Sequence, residues 1–295
     1  MRRNCVHFRN DCAISPPPGL DGELLSGQYF QTTRVGGSTI ASAERLDTNR
    51  LVATVSLLFE ADDRPCARDI HDIARRDGNF SVSIDPSLDG EADEGWVELL
   101  ANGLTFDLTG LSPFDASEIP HFSHSYGLPA DFREQELQAI TLMPGPHLLA
   151  GGAMFPVIRG LAVLAAQLSA LKGVRGVAWH SAKAVSEPEF YRRGVMGWIE
   201  GGAFPGLGLT SLTTGPGGTM KSEGLALFTG QELHMSADFA GNEADSAKVA
   251  LRLLNWLIEH GRIEQKVMFT GPSGEAIQLE PVENSGILRV CRGSS

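Results

Sequence analysis

The sequence predicts an α+β protein, with mixed or antiparallel sheets and helices packed on one face. Three observations lead there. Segments with helical stripes interleave with segments of strict alternation. Some neighbouring strands are joined by tight turns and others by a helix, a mixture that a doubly wound parallel fold does not produce. Apolar residues make up 42% of 295 residues, with 34 glycines besides, which is enough for a sizeable core. No fixed short repeat is present, which excludes a solenoid.

Residues 1–50 read as a poorly structured N-terminal segment, because Pro16-Pro17-Pro18 and Gly36-Gly37 interrupt any period. A strand follows, with Leu51, Ala53, Val55, Leu57 and Phe59 on one strongly apolar face. Asp63 and Pro65 open a short helix striped by Cys66, Ile70, Ile73 and Ala74, and Gly78 closes it. Phe80, Val82 and Ile84 mark a second strand. Asn102-Gly103 supplies the two positive φ angles of a type I′ turn. A two-residue loop there pairs Ala101 with Leu104, Leu99 with Phe106 and Val97 with Leu108, all on one face. From Thr109 to Gln135 the period is lost, and a loop that long is unusual inside a compact domain. The expected organisation is therefore a small α+β unit over 51–135 and a larger one over 136–295.

In the larger unit, Leu137 to Met143 is an expected strand, and Pro156 to Lys172 a helix whose apolar stripe is too wide for a surface position. Val174 to His180 is a strand. Ser186-Glu187-Pro188-Glu189 reads as a capping box with Ser186 as the cap. On the helix it opens, Phe190, Gly194, Gly197 and Gly201 form a face suited to close approach to a sheet. Leu207, Leu209 and Ser211 begin another strand. Gly230-Gln231 reads as a II′ turn between strands 224–229 and 232–239. Asn242 caps a long amphipathic helix that Gly261 ends, and short strands follow over 266–270, 277–282 and 287–290. The loose β-α-β order common to the two halves hints at two ferredoxin-like units.

The 24 Lys and Arg against 36 Asp and Glu give a net charge of −12, which argues against unselective binding to nucleic acid or an anionic membrane. Arg2, Arg3 and Arg9 are followed by no apolar secretory core, and no stretch of about 18 apolar residues is free of charge. Cys5, Cys12, Cys66 and Cys291 are too sparse for a disulfide scaffold. The expectation is a cytoplasmic protein with reduced thiols.

Few motifs carry chemistry. Gly215-Pro-Gly-Gly-Thr-Met-Lys221-Ser222 resembles a phosphate loop but has Met220 where glycine must precede the lysine. His121 and His124 lie in an aperiodic stretch, which fixes no common ligating face. The acids Asp89, Glu91, Asp93 and Glu94 lack calcium-loop spacing. His234 alternates with Glu232, Ser236 and Asp238 on what reads as a solvated sheet face, and the four tryptophans read as core. The best catalytic candidates are His180 at a strand end, His147 in a Pro- and Gly-rich turn, and Glu189, a set able to perform acid–base work. No nucleophile elbow accompanies them. No cofactor or metal is expected.

Residues Gly176-Val-Ala-Trp-His180, Ser186-Glu-Pro-Glu-Phe190, Thr219 to Leu233 and His260-Gly261 carry a resemblance to a bacterial family. Over about 176–289 the chain resembles the domain of unknown function 4261. That resemblance implies a soluble bacterial α+β module and brings no catalytic residue with it.

The functional expectation is a non-enzymatic module that binds a protein partner through an acidic surface. The alternatives are a small-molecule hydrolase built on His180, His147 and Glu189, and a structural subunit of a larger assembly.

Overall fold

The computed structural model describes residues 52–88, 95–133, 136–237, 243–271 and 274–293. The expected N-terminal segment, Cys5, Cys12, the acids 89–94 and Asn242 lie outside the described residues.

The fold class is α+β, with two mixed sheets. In chain order the first half gives β1 (Val55–Glu60), α1 (Ala67–Asp77), β2 (Ser81–Ile84), β3 (Trp96–Ala101), β4 (Leu104–Thr109) and β5 (His124–Tyr126). Then come β6 (Leu137–Pro144), α2 (Phe155–Leu168), β7 (Val174–Trp179), β8 (Ala184–Ser186) and α3 (Pro188–Ile199). Together the strands β1 to β8 build one eight-stranded sheet in the order β2-β3-β4-β6-β1-β7-β8-β5. All its pairs are antiparallel except β5 with β8.

The short turn α4 (Gly206–Leu209) leads to β9 (Ser211–Thr214), β10 (Met220–Glu223), α5 (Leu225–Thr229) and β11 (Glu232–Met235). The long α6 (Glu243–His260) and strands β12 (Val267–Thr270), β13 (Ala276–Val282) and β14 (Ile287–Arg292) complete the chain. The second sheet has six strands ordered β12-β13-β14-β11-β10-β9, with β11 and β14 parallel.

Each sheet carries its helices on one face. Val55, Leu57 and Phe59 of β1 share a core with Ile70 and Ile73 of α1, Ile158, Leu161 and Leu164 of α2, and Tyr191 and Val195 of α3. The wide stripe of α2 is buried as its sequence requires, and truncating one of its leucines to Ala would cost about 2–5 kcal/mol. On the second sheet, Ala250, Leu253, Leu254 and Leu257 of α6 cover Leu233, Leu279, Leu288 and Val290.

The β3–β4 hairpin has the register read from the sequence, Ala101 with Leu104, Leu99 with Phe106 and Val97 with Leu108. Asn102 and Gly103 take φ of 52° and 78°. Gly78 closes α1 at φ 67°, its N–H donating to the Ala74 carbonyl. At the other end Asp69 accepts from the Cys66 N–H at 2.9 Å.

Several expectations require correction. The boundary at residue 135 runs through the eight-stranded sheet, because β1 lies between β6 and β7 and pairs with both. The aperiodic stretch before it does not close a unit. Ile119, Phe122, Leu128 and Phe132 from that stretch pack on Leu58, Ala139, Ala178 and Val185, covering the sheet face opposite the helices. Arg64 pins its start by donating to Gln138 Oε1 at 2.8 Å, to the Gly110 carbonyl and to the Phe114 carbonyl. The sheets, eight- and six-stranded in unlike orders, do not repeat a ferredoxin-like unit.

Residues 225–229 are helical, so Gly230-Gln231 is no hairpin turn; Gly230, at φ 74°, ends α5 as a left-handed cap. A short run of four apolar residues and a threonine fits a buried strand or a buried helical turn equally well by pattern alone. The cap of α3 is Glu187, whose carboxylate accepts from the amides of Glu189 at 3.0 Å and Phe190 at 2.6 Å. Ser186 is buried in β8 instead. Of the three glycines expected on one face of α3, Gly194 approaches Pro205 and Gly197 faces open space, while Gly201 lies beyond the end of α3, with open space around it as well. The strand expected from Leu207 begins only at Ser211.

Candidate functional site

His180 follows β7 directly, and Ser56 lies opposite Ala178 in the neighbouring β1. His180 Nε2 and Ser56 Oγ share a hydrogen bond of 2.9 Å, and Ser56 Oγ shares another of 2.8 Å with Thr141 Oγ1. Burial lowers the His180 imidazole to about 4, so it is neutral at pH 7. A serine beside a neutral histidine has the composition of an activated nucleophile. Ser56, however, is fully buried in a central strand, with no path to its hydroxyl from solvent.

His147 and Glu189 do not join this pair. β6 and β7 end on the same side of the sheet, but the chain after β6 turns outward over β4, where the Gly145 N–H donates to the Thr105 carbonyl. His147 is exposed there and lies near Asp107. Glu189 lies beside the start of β7, so the strand's length, roughly 17 Å at 3.3 Å per residue, separates it from His180. There it borders an open cleft of about 460 Å³ together with Phe132, Val174, Arg175 and Arg192. Its charges are paired: Arg192 with Glu189 at 2.7 Å, and Arg175 with Glu60 at 3.3 Å. The convergent pocket expected of the three candidates is not formed.

His121 is exposed, whereas His124 is mostly buried and bonds to Glu223 Oε2 at 3.0 Å. Lys183 Nζ donates to the other oxygen of Glu223 at 2.9 Å. Burial alone would raise the Glu223 carboxyl, but the Lys183 and His124 hydrogen bonds hold it below its ordinary value. This cluster ties β5 and the turn after β7 to β10, joining the two sheets. Gly215 to Thr219 form the connector between β9 and β10, and Lys221 is exposed on β10.

Glu232, expected on a solvated face, is buried. Its Oε1 accepts from the amides of Gly224 at 2.9 Å and Ala226 at 3.0 Å, and Ser222 Oγ donates to its Oε2. Ser222 Oγ in turn accepts from the Leu233 N–H at 2.7 Å. Burial raises the carboxyl to about 7 against the pull of these donors. Gly224, at φ 86°, approaches the Ala182 backbone so closely that a Cβ would stand 3.0 Å from it. Ser222, Gly224, Gly230 and Glu232 thus form one closed cap around α5. His234, beside Glu232, is half-buried between Lys221 and Arg289 on the flanking strands. Burial lowers it, and the two cations lower it further.

The charge of the chain is strongly uneven. Residues 51–135 hold seventeen Asp and Glu against five Lys and Arg, whereas residues 136–295 hold fourteen against thirteen. The whole excess of −12 therefore falls in the first span. Twelve of those acids are among the described residues; Asp89, Glu91, Asp93, Glu94 and Glu134 are outside them. Averaging over the chain hides this asymmetry, although it could have been counted from the sequence.

Three strands of that span, β2, β3 and β4, form one end of the large sheet, whereas its β1 lies in the middle and its β5 at the opposite edge. On the face away from the helices, Ile119, Phe122, Leu128 and Phe132 pack over β1, β6, β7 and β8. Leu100 and Ile84 are exposed on it at 38% and 44%. Ile84 is in register with Glu98, and Glu98 with Asp107 on β4. Burial raises the Asp107 carboxyl, and repulsion from Glu98 raises it further. Ser83 Oγ donates to Glu98 Oε1 at 2.7 Å. Among the described residues no strand pairs with the outer edge of β2.

Among the described residues no three His, Cys, Asp or Glu side chains gather as metal ligands, and no helix is long and apolar enough to cross a membrane. Comparison with protein-family models, curated proteins and solved structures finds no match for this chain.

Proposed function

We propose that this protein is a non-enzymatic module that binds a basic protein partner through the acidic β2–β3–β4 face. One observation carries the reading: Glu98 and Asp107 stand side by side on the β3–β4 face away from the helices, within a span, 51–135, that holds seventeen acids against five cations. A face of that kind steers a cationic partner and lowers its affinity steeply with salt. The separation of His147, His180 and Glu189, and the burial of Ser56, weigh against the hydrolase reading. We place the protein in the cytoplasm, and we read residues 176–289 as a divergent relative of the domain of unknown function 4261. The Ser222–Gly224–Gly230–Glu232 cap supplies a structural reason for that motif.

The test is affinity capture from a bacterial extract on the immobilised full chain and on its Glu98→Gln/Asp107→Asn variant. A protein retained by the first at low salt, and lost both by the variant and in 0.5 M NaCl, is the expected result. Equal retention by both chains overturns the reading.

A further inference from the structure

We infer that the outer edge of β2 accepts one extended, basic segment of a partner protein, which adds to the large sheet as a further strand. The inference rests on the acidic-face reading and adds to it the place and form of binding. Three features favour strand addition there. β2 ends the sheet, and among the described residues no strand pairs with its other side. Ser81, Ser83 and Ile84 are exposed, and Leu88 just beyond is 73% exposed, offering apolar contact beside the edge. Next to that edge stand Glu98 and Asp107 in one cross-strand row.

An added strand would lie two strand spacings from Glu98, roughly 9–10 Å, which the long side chain of an arginine or lysine reaching across β2 can bridge. The residues in between would point to the other face, beside Val82, which packs on the main core. The fitting segment therefore alternates Lys or Arg with β-branched apolar residues. A second copy is a poor occupant, since pairing β2 with β2 would bring two acidic halves together.

The experiment uses the full chain and two fluorescein-labelled probes of equal charge, Lys-Val-Lys-Val-Lys-Val-Lys-Val and Lys-Val-Lys-Pro-Lys-Pro-Lys-Val, followed by anisotropy. Proline removes the amides that a strand must donate. The first probe is expected to bind at least tenfold more tightly than the second. Ile84→Lys should weaken it at least tenfold with an unchanged melting temperature, and hydrogen exchange of amides 81–84 should slow when it binds. Equal affinity for the two probes, no binding of either, or no effect of Ile84→Lys overturns strand addition. So does strong protection of amides 81–84 in the free chain, which would mean that its own residues or a second copy already cover the edge. If both probes bind equally and Glu98→Gln/Asp107→Asn releases both, strand addition fails while the acidic-face reading stands. If capture from the extract is insensitive to that variant, the reading itself fails.

Discussion

Glu98 and Asp107 stand directly opposite each other across the β3–β4 pair, two carboxylates in register on the face of the large sheet away from the helices. Like charges so placed oppose folding by roughly 0.2–1 kcal/mol. Asp107→Asn is therefore expected to raise the thermal midpoint by about 1–3 °C. The raised Asp107 carboxyl makes the wild type lose stability relative to the variant as pH rises through its folded-state value. Thermal melts of both chains at pH 3.5 and pH 7 check this. A variant that is less stable at pH 7 would show the repulsion to be compensated.

Glu232 separates capping from charge. Glu232→Ala leaves the buried Gly224 and Ala226 amides without their acceptor and should cost about 2–4 kcal/mol. Glu232→Gln keeps an oxygen for both amides and should cost far less. Since the folded carboxyl is raised to about 7, the folded chain binds more protons than the unfolded chain between pH 4.5 and 7. The wild type should lose stability relative to Glu232→Gln as pH rises through that window. Urea unfolding at pH 5 and pH 8 gives the difference, and a flat difference would refute the assigned ionisation.

His180 acts with the opposite sign. Its folded value of about 4 lies below the ordinary 6.5, so protons bind the unfolded chain first. Its contribution is present above pH 6.5 and lost as pH falls toward 4. His180→Gln should flatten this part of the stability profile. Ser56→Ala strips the partner from His180 and Thr141 and should cost about 1–3 kcal/mol at pH 7. Equilibrium unfolding of the three chains at pH 7 and pH 5 tests both statements.

The Tyr191 hydroxyl is buried in the core with no hydrogen-bond partner among the described residues. Tyr191→Phe removes that unsatisfied group without changing the ring. It should be neutral or stabilise by about 1 kcal/mol, read as an unchanged or raised urea midpoint. A loss above 1 kcal/mol would reveal a bound water that satisfies the hydroxyl.

Local rules were legible where one residue settles one conformation. Asn102-Gly103 determined a register, and Gly78 a helix end. Pattern failed where two structures bury the same run, as at Leu225 to Thr229. It failed also where irregular backbone packs through scattered apolar residues: Ile119, Phe122 and Phe132 share no period yet cover a sheet face. Long-range pairing was invisible, so neither the place of β1 between β6 and β7 nor the Ser56–His180 bond could be read. The candidate histidines looked convergent because the direction of the chain after Pro144 is set by β4, not by local sequence. The acidic bias of residues 51–135 could be counted from the sequence by segment, but not which of its acids share a face.

The central place of β1 has a consequence for synthesis. Ser56 meets its bonding partner His180 only 124 residues later in the chain. At 5–20 residues per second, a ribosome takes on the order of 6–25 s to deliver it. Throughout that interval a strand whose first five residues are buried in the finished fold lacks its β7 neighbour, so shielding of Val55 to Phe59 by a chaperone would matter most before the second sheet has been translated at all.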